Sequence, residues 1–453
     1  MNQESENGTK PGRRRLWRWL LAGTVLLSIV SVMAVLKSDD ALLPYDDLKV
    51  AETPVPDIRT NGYLYLREKW GQWPQTGPQE RVKAMINGQE PPDQAFVDRL
   101  RKGRANSVED WRTALAMPEW RLPLPVNTEV ETGSWVLLPI QLLVFDAMAP
   151  LRSGDAGPAN SLQQEVALWI KRHLAGGGGI VSVAVATRPQ EMVADLGCSV
   201  LSLSNPDAGQ LEAMDILWRE EPPIAEALQS AVRKDAAVVR RILDLMKSDS
   251  GQLDETDYSV TRREKLFLKK NRTLNAYHEA LRKVVAAPFQ PFPSLEMAWQ
   301  TGYGKLQRDR PLLGRWDPNA TGERILSSLG GSGTLALWQY KALFIPRAMR
   351  VRLAVHRWRQ THPGQWPSTL AELVPDFLAE VPQDPWNGAP LLWDQAARTV
   401  YAVGADWSPD QPDFQPDDRG WTVYNPNTPG LRMELPLVNP AARSKHRVVR
   451  GSQ

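Results

Sequence analysis

IAEALQSAVRKDAAVVRRILDLMK, residues 224–247, sets Ile224, Leu228, Val239, Ile242 and Met246 at helical spacing. Arg233, Lys234, Arg240, Arg241 and Lys247 take the opposite face, so the stretch reads as a long amphipathic helix. Leu162, Val166, Trp169 and His173 form a second such face, and Leu274, Tyr277, Leu281 and Val284 a third, ended by Pro288. Pro and Gly clusters at 118–125, 150–158, 176–179 and 288–293 punctuate these helices into hairpins. Residues 61–335 are therefore expected to be a mostly helical body, and the chain mainly α.

Composition narrows the function class. Hydrophobic content of 42% and charged content of 23% are those of a folded protein. Lys+Arg 54 against Asp+Glu 52 leaves no global field for nucleic acid. The sole cysteine, Cys198, excludes an intrachain disulfide and a thiolate zinc cluster. Tryptophan, at 18 residues, outnumbers Tyr and Phe, and reads first as large anchors between helices, second as platforms for glycan or membrane-interface contact.

Upstream of the body, Trp19–Leu36 runs without a formal charge and would span roughly 27 Å as a helix, close to a bilayer core. Lys10, Arg13, Arg14, Arg15 and Arg18 precede it; Lys37, Asp39, Asp40, Asp46 and Asp47 follow. That asymmetry keeps the N-terminus cytoplasmic and sends the body across the membrane. Trp17 and Trp19 sit where an interfacial belt belongs. A cleaved signal peptide, with Val32-Met33-Ala34 as its site, competes, but the apolar run exceeds a signal core. The expected plan is a basic cytoplasmic tail over 1–15, a transmembrane anchor in lipid over 16–36, and an extended linker over 37–60 carrying Pro44, Pro54 and Pro56. The helical body fills 61–335, a small α+β module 336–425, and a flexible basic tail 426–453 with Arg443, Lys445, His446, Arg447 and Arg450.

The module differs in character from the body. A helix through Val351, Val355 and Trp358 stops at His362-Pro363-Gly364; Ser368 is placed to cap the turn that follows, over Thr369–Val374. Pro382-Gln383-Asp384-Pro385-Trp386-Asn387-Gly388 sets an Asn-Gly turn before a short strand, Leu391–Trp393. Thr399–Val403 can pair back on it across Asp394–Arg398 as a β-hairpin. Gly-Gln-Trp-Pro also occurs at Gly71–Pro74, without matching flanks, which reads as coincidence.

The order Gly364, Trp366, Pro367, Leu370, Leu373, Val374, Pro375, Val381, Pro382, Asp384, Pro385, Trp386, Gly388, Pro390, Leu391, Tyr401, Val403, Gly404, Asp406 resembles the C-terminal part of the major pseudopilins of type II secretion. It is more similar still to a tail on membrane-anchored bacterial proteins of unassigned role. The resemblance covers about 70 residues. It departs at the other end: Leu16–Leu36 carries no Glu and no pilin-type leader, and the module lies far from the hydrophobic segment. What it implies is a fold element, an envelope setting and a Ca²⁺-holding loop after the hairpin. Asp406, Asp410, Asp413, Asp417 and Asp418 crowd hard oxygens on that Pro/Gly-rich loop, which suits Ca²⁺, although a solvated acidic loop competes.

His-Glu-x-x-His, Gly-x-Ser-x-Gly, Ser-x-x-Lys and the Walker A loop do not occur. His173, His278, His356, His362 and His446 lie far apart and read as packed or exposed. Gly176–Gly179 reads as a hinge between helices, since no Lys-Ser/Thr follows it to hold a phosphate. The expected function is a non-catalytic interaction or scaffold protein of the bacterial envelope, inner-membrane-anchored, with envelope protein partners and no cofactor beyond the Ca²⁺ of that loop. An envelope hydrolase acting on glycan or peptide, and an accessory part of a secretion or pilus-like system, are the alternatives. Millimolar Ca²⁺ is expected to raise the melting temperature of the full chain, and Asp410→Asn with Asp413→Asn to abolish the rise. An unchanged melting temperature removes the site.

Overall fold

A computed structural model describes residues 24–28, 30–31, 39–50, 57–71, 78–86, 88–102, 107–122, 134–204, 206–247, 268–286, 319, 322, 333–385, 388–396, 398–402 and 432–434. The fold is mainly helical, as the periodicity predicts. In chain order the helices are α1 Gly62–Trp70, α2 Pro78–Ile86, α3 Gln94–Arg101, α4 Ser107–Ala116, α5 Leu137–Arg152 and α6 Gly157–Ala175. There follow α7 Ile180–Leu203, α8 Ala208–Arg219, α9 Ile224–Lys247, α10 Lys270–Val285 and α11 Gly333–Thr361.

The centre of the body is α7. It packs on α5, α6, α9 and α11. Val183, Val185, Ala186, Val193, Ala194, Leu196, Val200 and Leu201 are buried, and so are Gln190 and Gly197 between them. Only a narrow stripe, Arg188, Glu191, Asp195 and Ser199, reaches solvent, so burial of the rest by several neighbours is its stable arrangement. At Gly197 a Cβ would lie 2.8 Å from Gln163 Oε1 and 2.9 Å from Met349 Cε, so α6 and α11 close on the central helix where it has no side chain.

Aromatic rings join the first helices to this core. Trp70 of α1 stacks on Trp111 of α4 with ring centroids 5.7 Å apart and planes 4° from parallel. Trp111 meets Trp169 of α6 at 6.1 Å, and Trp169 stacks on His173 at 4.6 Å. Trp70, Trp111, Trp120, Trp135, Trp169, Trp218 and Trp358 are all buried, the anchoring role expected first. Asn61 starts α1 from inside the protein: its Oδ1 accepts from Leu64 N at 3.1 Å and its Nδ2 donates to the Arg121 carbonyl at 3.0 Å. One buried amide thus caps a helix and ties it to the segment entering the core.

The amphipathic helix of residues 224–247 is α9, and its predicted apolar residues are buried. Its polar face is only partly wet. Arg233, Lys234 and Arg240 are half-buried because other parts of the chain cover them. Antiparallel α10 lies beside it, with Gln229 Nε2 donating to the Val285 carbonyl at one end and Lys270 paired with Asp244 at the other.

The C-terminal module also follows expectation in outline. α11 ends at Thr361, and Gly364 takes φ +79°, the left-handed turn that favours glycine. β1 Leu392–Asp394 pairs antiparallel with β2 Thr399–Tyr401, Trp393 opposite Val400. Two details differ. Thr369, not Ser368, caps the turn Leu370–Leu373, in a capping box with Glu372, because Thr369 stands three residues before Glu372 and Ser368 four. Residues 432–434, expected in the flexible tail, form β3 Arg432–Glu434 on the open edge of β2, which would otherwise leave its backbone groups unpaired.

No helix among the described residues is long and apolar enough to cross a membrane. The expected anchor lies mostly outside those residues; within it, 24–28 and 30–31 are helical, with Val25, Leu26, Leu27 and Val30 exposed. Trp111→Ala is expected to lower unfolding free energy by about 3–5 kcal/mol in a denaturant titration, and Trp111→Phe by much less. A loss below about 1 kcal/mol for the alanine variant would show that the stacked rings do not join α1 and α4 to the core.

Candidate functional site

The five carboxylates expected to hold Ca²⁺, Asp406, Asp410, Asp413, Asp417 and Asp418, lie outside the described residues, as do Val403 and Gly404 of the same motif. Among the described residues no group of three or more His, Cys, Asp or Glu is placed to hold a metal. The motif residues before the loop serve the fold. Asp384 is buried and accepts from Tyr340 Oη at 3.2 Å, while its backbone NH donates to the Ala389 carbonyl at 2.6 Å. Gly388 turns the chain at φ +73°. Trp393 Nε1 donates to the Pro367 carbonyl at 2.8 Å, which fixes the hairpin against the preceding turn. Arg359 and Arg398 lie over the Trp366 ring, 4.0 and 4.8 Å from its centroid, a cation–π contact from each.

Polar chemistry gathers at two other places. The first is the glycine hinge between α6 and α7. Gly177 has φ +67°, and a Cβ on Gly178 would lie 2.2 Å from Ser182 Oγ, so the turn admits no larger residue there. Ser182 Oγ lies 2.7 Å from His173 Nε2, and the Ser182 carbonyl 3.2 Å from the same nitrogen. His173 Nδ1 has no hydrogen-bond partner. A buried NH without an acceptor is rarer than a lone pair without a donor, which assigns the proton to Nε2. Ser182 then accepts from the ring, the reverse of what a histidine base asks of a serine nucleophile. Both side chains are buried, and the pair latches the hinge.

Asp235 of α9 approaches the same hinge and accepts from Ile180 NH at the start of α7. Burial pushes its carboxyl up to about 7 against the hydrogen bond that favours its charge. Burial also lowers the Lys234 amine beside it. His173 is pushed down to about 4, again by burial. The sole cysteine, Cys198, is buried on α7 against Arg352 and Met349 of α11.

The second place is the segment 39–50. Expected as an extended linker, it is docked along α10 and includes a 3-10 turn at Asp46–Leu48. Asp39 accepts from the backbone NH groups of Asn271 and Arg272 at 2.9 and 3.1 Å, at the N-terminal end of that helix. Asn275 donates to the Ala41 carbonyl and accepts from Leu43 NH, at 2.8 and 2.9 Å. Tyr45 stacks on His278 at 5.2 Å with Arg240 over its ring, Leu48 is buried, and Asp47 pairs with Arg282 at 2.8 Å. Arg282 donates to the Asp47 carboxylate and holds its pKa below the usual range. His278 is lowered to about 4, first by burial and then by Arg282 and Arg240.

Neither place was assigned from the sequence. Ser182 meets His173 of α6 and Asp235 of α9 meets Ile180, and the spacing of α9 reports which face is apolar, not what its polar face meets. Asp39 before a basic helix carried a signal, read as membrane topology alone. Comparison with protein-family models, curated proteins and solved structures finds no match to the chain.

The two buried groups at the hinge oppose each other in pH. Between about 4 and 6.5 folded His173 binds fewer protons than unfolded His, so acidification through that window costs stability. Between 3.8 and about 7 folded Asp235 binds more protons than unfolded Asp, so its effect is a loss as pH rises. Asp235→Asn is therefore expected to steepen the gain in stability from pH 4 to 7, and His173→Gln to flatten or invert it. Denaturant titrations across that range check both, and parallel curves for the three proteins would refute the assignment.

Proposed function

We propose that the chain is a single-pass membrane-anchored protein of the bacterial cell envelope. Leu16–Leu36 spans the inner membrane with the N-terminus cytoplasmic, and the helical body is an extracytoplasmic interaction or scaffold domain. The observation that carries the reading is the passage from Thr24 to Val50. Its helical residues turn Val25, Leu26, Leu27 and Val30 outward, and from Asp39 the chain is bound to the body. An apolar helix that faces away from its own protein suits a hydrocarbon surrounding.

The tryptophans favour a packed interaction body over a glycan hydrolase, because the buried rings listed above are structural anchors and offer no stacking platform. The hollow between α6, α7, α8 and α11, lined by Ile170, Gln190, Leu217 and Trp218, admits little more than a water molecule. A second reading, an accessory part of a type II secretion or pilus-like system, is supported by the C-terminal module, whose capped turn and hairpin stand where its motif places them.

Alkaline carbonate is expected to leave the full chain in the membrane pellet, and protease added to spheroplasts to digest the body. Leu26→Arg with Leu27→Arg is expected to release it. Crosslinking in intact cells should recover envelope proteins in fixed proportion. Extraction of the wild-type chain by carbonate, or turnover of an envelope glycan or peptide with no partner recovered, would overturn the reading.

A further inference from the structure

We infer that the paired ends of α9 and α10, with Arg241 and Arg272 outermost, rest on the phosphate headgroups of the bilayer that holds the anchor. The inference rests on the proposed anchor and adds which end of the body meets the membrane. The docked segment runs in one direction: Asp39 binds at Asn271, Ala41 and Leu43 at Asn275, Tyr45 at His278 and Asp47 at Arg282. The chain thus enters the body at the N-terminal end of α10 and moves along it. Because α9 is antiparallel, that end also holds the last turns of α9, where Lys270 meets Asp244.

Chain length sets the distance. Two residues, Lys37 and Ser38, and so three Cα–Cα steps, separate Leu36, the last of the uncharged run, from Asp39. Fully extended they reach roughly 10 Å, about the depth of a headgroup layer. Asp39 is held by two backbone NH groups, so this end of α10 has no freedom to move further from the bilayer. The charges there fit an anionic surface. Among the described residues Asp39 is engaged by the helix end, Asp244 is exposed but paired with Lys270, and Asp40 is exposed. Arg241 and Arg272 are exposed guanidiniums without an ion pair among the described residues. Arginine presents a planar fork of donors that matches a phosphate.

The test uses the full chain in vesicles of phosphatidylethanolamine and phosphatidylglycerol. Cys198 is buried, so a fluorophore can be placed selectively on Arg241→Cys and, as the distant control, on Ile216→Cys. A nitroxide on the lipid headgroup is expected to quench the Arg241-site label at least threefold more than the Ile216-site label. Inserting ten Gly-Ser residues after Lys37 leaves the docked segment intact and is expected to bring the two labels level. Equal quenching in a chain that resists carbonate would overturn the inference and leave the anchor standing. Carbonate extraction of the chain would overturn both. Quenching that survives the insertion would also overturn it, because the short connection would then not be what holds this end at the surface.

Discussion

Every other element of the body is placed by the burial of α7. Ile180–Leu203 is apolar around most of its circumference, broken by one stripe at Arg188, Glu191, Asp195 and Ser199, and a helix of that kind is stable in water only when neighbours cover its apolar sides. α6 returns along it through the glycine hinge, and α5, α9 and α11 take the remaining sides. The close approach at Gly197 shows how tight that cover is. A methyl there would meet the ends of side chains from two helices at once, Gln163 and Met349, which would have to shift. The aromatic stack then extends the core outward: Trp169 belongs to α6, which α7 positions, and Trp111 and Trp70 follow from it.

The same fact explains which parts of the fold were legible in the sequence. α6, α9 and α10 were readable because each has one wet side, and a wet side leaves a period of 3.6. The central helix has only a narrow polar stripe, Arg188, Glu191, Asp195 and Ser199, within a long apolar run. It also carries Pro189, which ordinarily argues for a break. The helix continues through it, and in the same turn Thr187 Oγ1 donates to the Ala184 carbonyl at 2.8 Å. The hairpin of the C-terminal module was legible because turn residues act locally, at Gly364 and Gly388. The contacts of Asp235, Ser182 and Asp39 were not, since a charged side chain in a sequence carries no mark of the distant surface it will meet.

The hinge illustrates how a cluster with catalytic-looking chemistry can be structural. Serine, histidine, aspartate, lysine and four glycines stand together, yet the His173 Nε2–H and the Asp235 carboxylate are engaged within the protein. Nε2–H of His173 is shared by two oxygens of Ser182, and the Asp235 carboxylate caps the start of α7. A buried polar group satisfied in this way specifies one arrangement of its helices, because any slip leaves it unpaired at a cost of about 1–3 kcal/mol. The price is a mild sensitivity to pH in two directions, with the His173 and Asp235 windows overlapping below neutrality.

How a short segment stays docked along α10 is a question of which contacts are dry. Asp47–Arg282 is substantially exposed on both sides, and exposed pairs contribute about 0–1 kcal/mol. The hold must come mainly from the others. Leu48 is buried, and burying a leucine side chain contributes about 1.5–3 kcal/mol. Tyr45 stacks on the His278 ring and lies under the Arg240 guanidinium, covering part of the polar face of α9. Asp39 adds a charge-assisted cap at the end of α10, where the helix dipole favours it. Because the segment belongs to the same chain, these modest terms act at a high effective concentration and need no separate association step. A linker held in this way couples whatever precedes Asp39 directly to α9 and α10, so the segment that the sequence reads as an extended linker is part of the body.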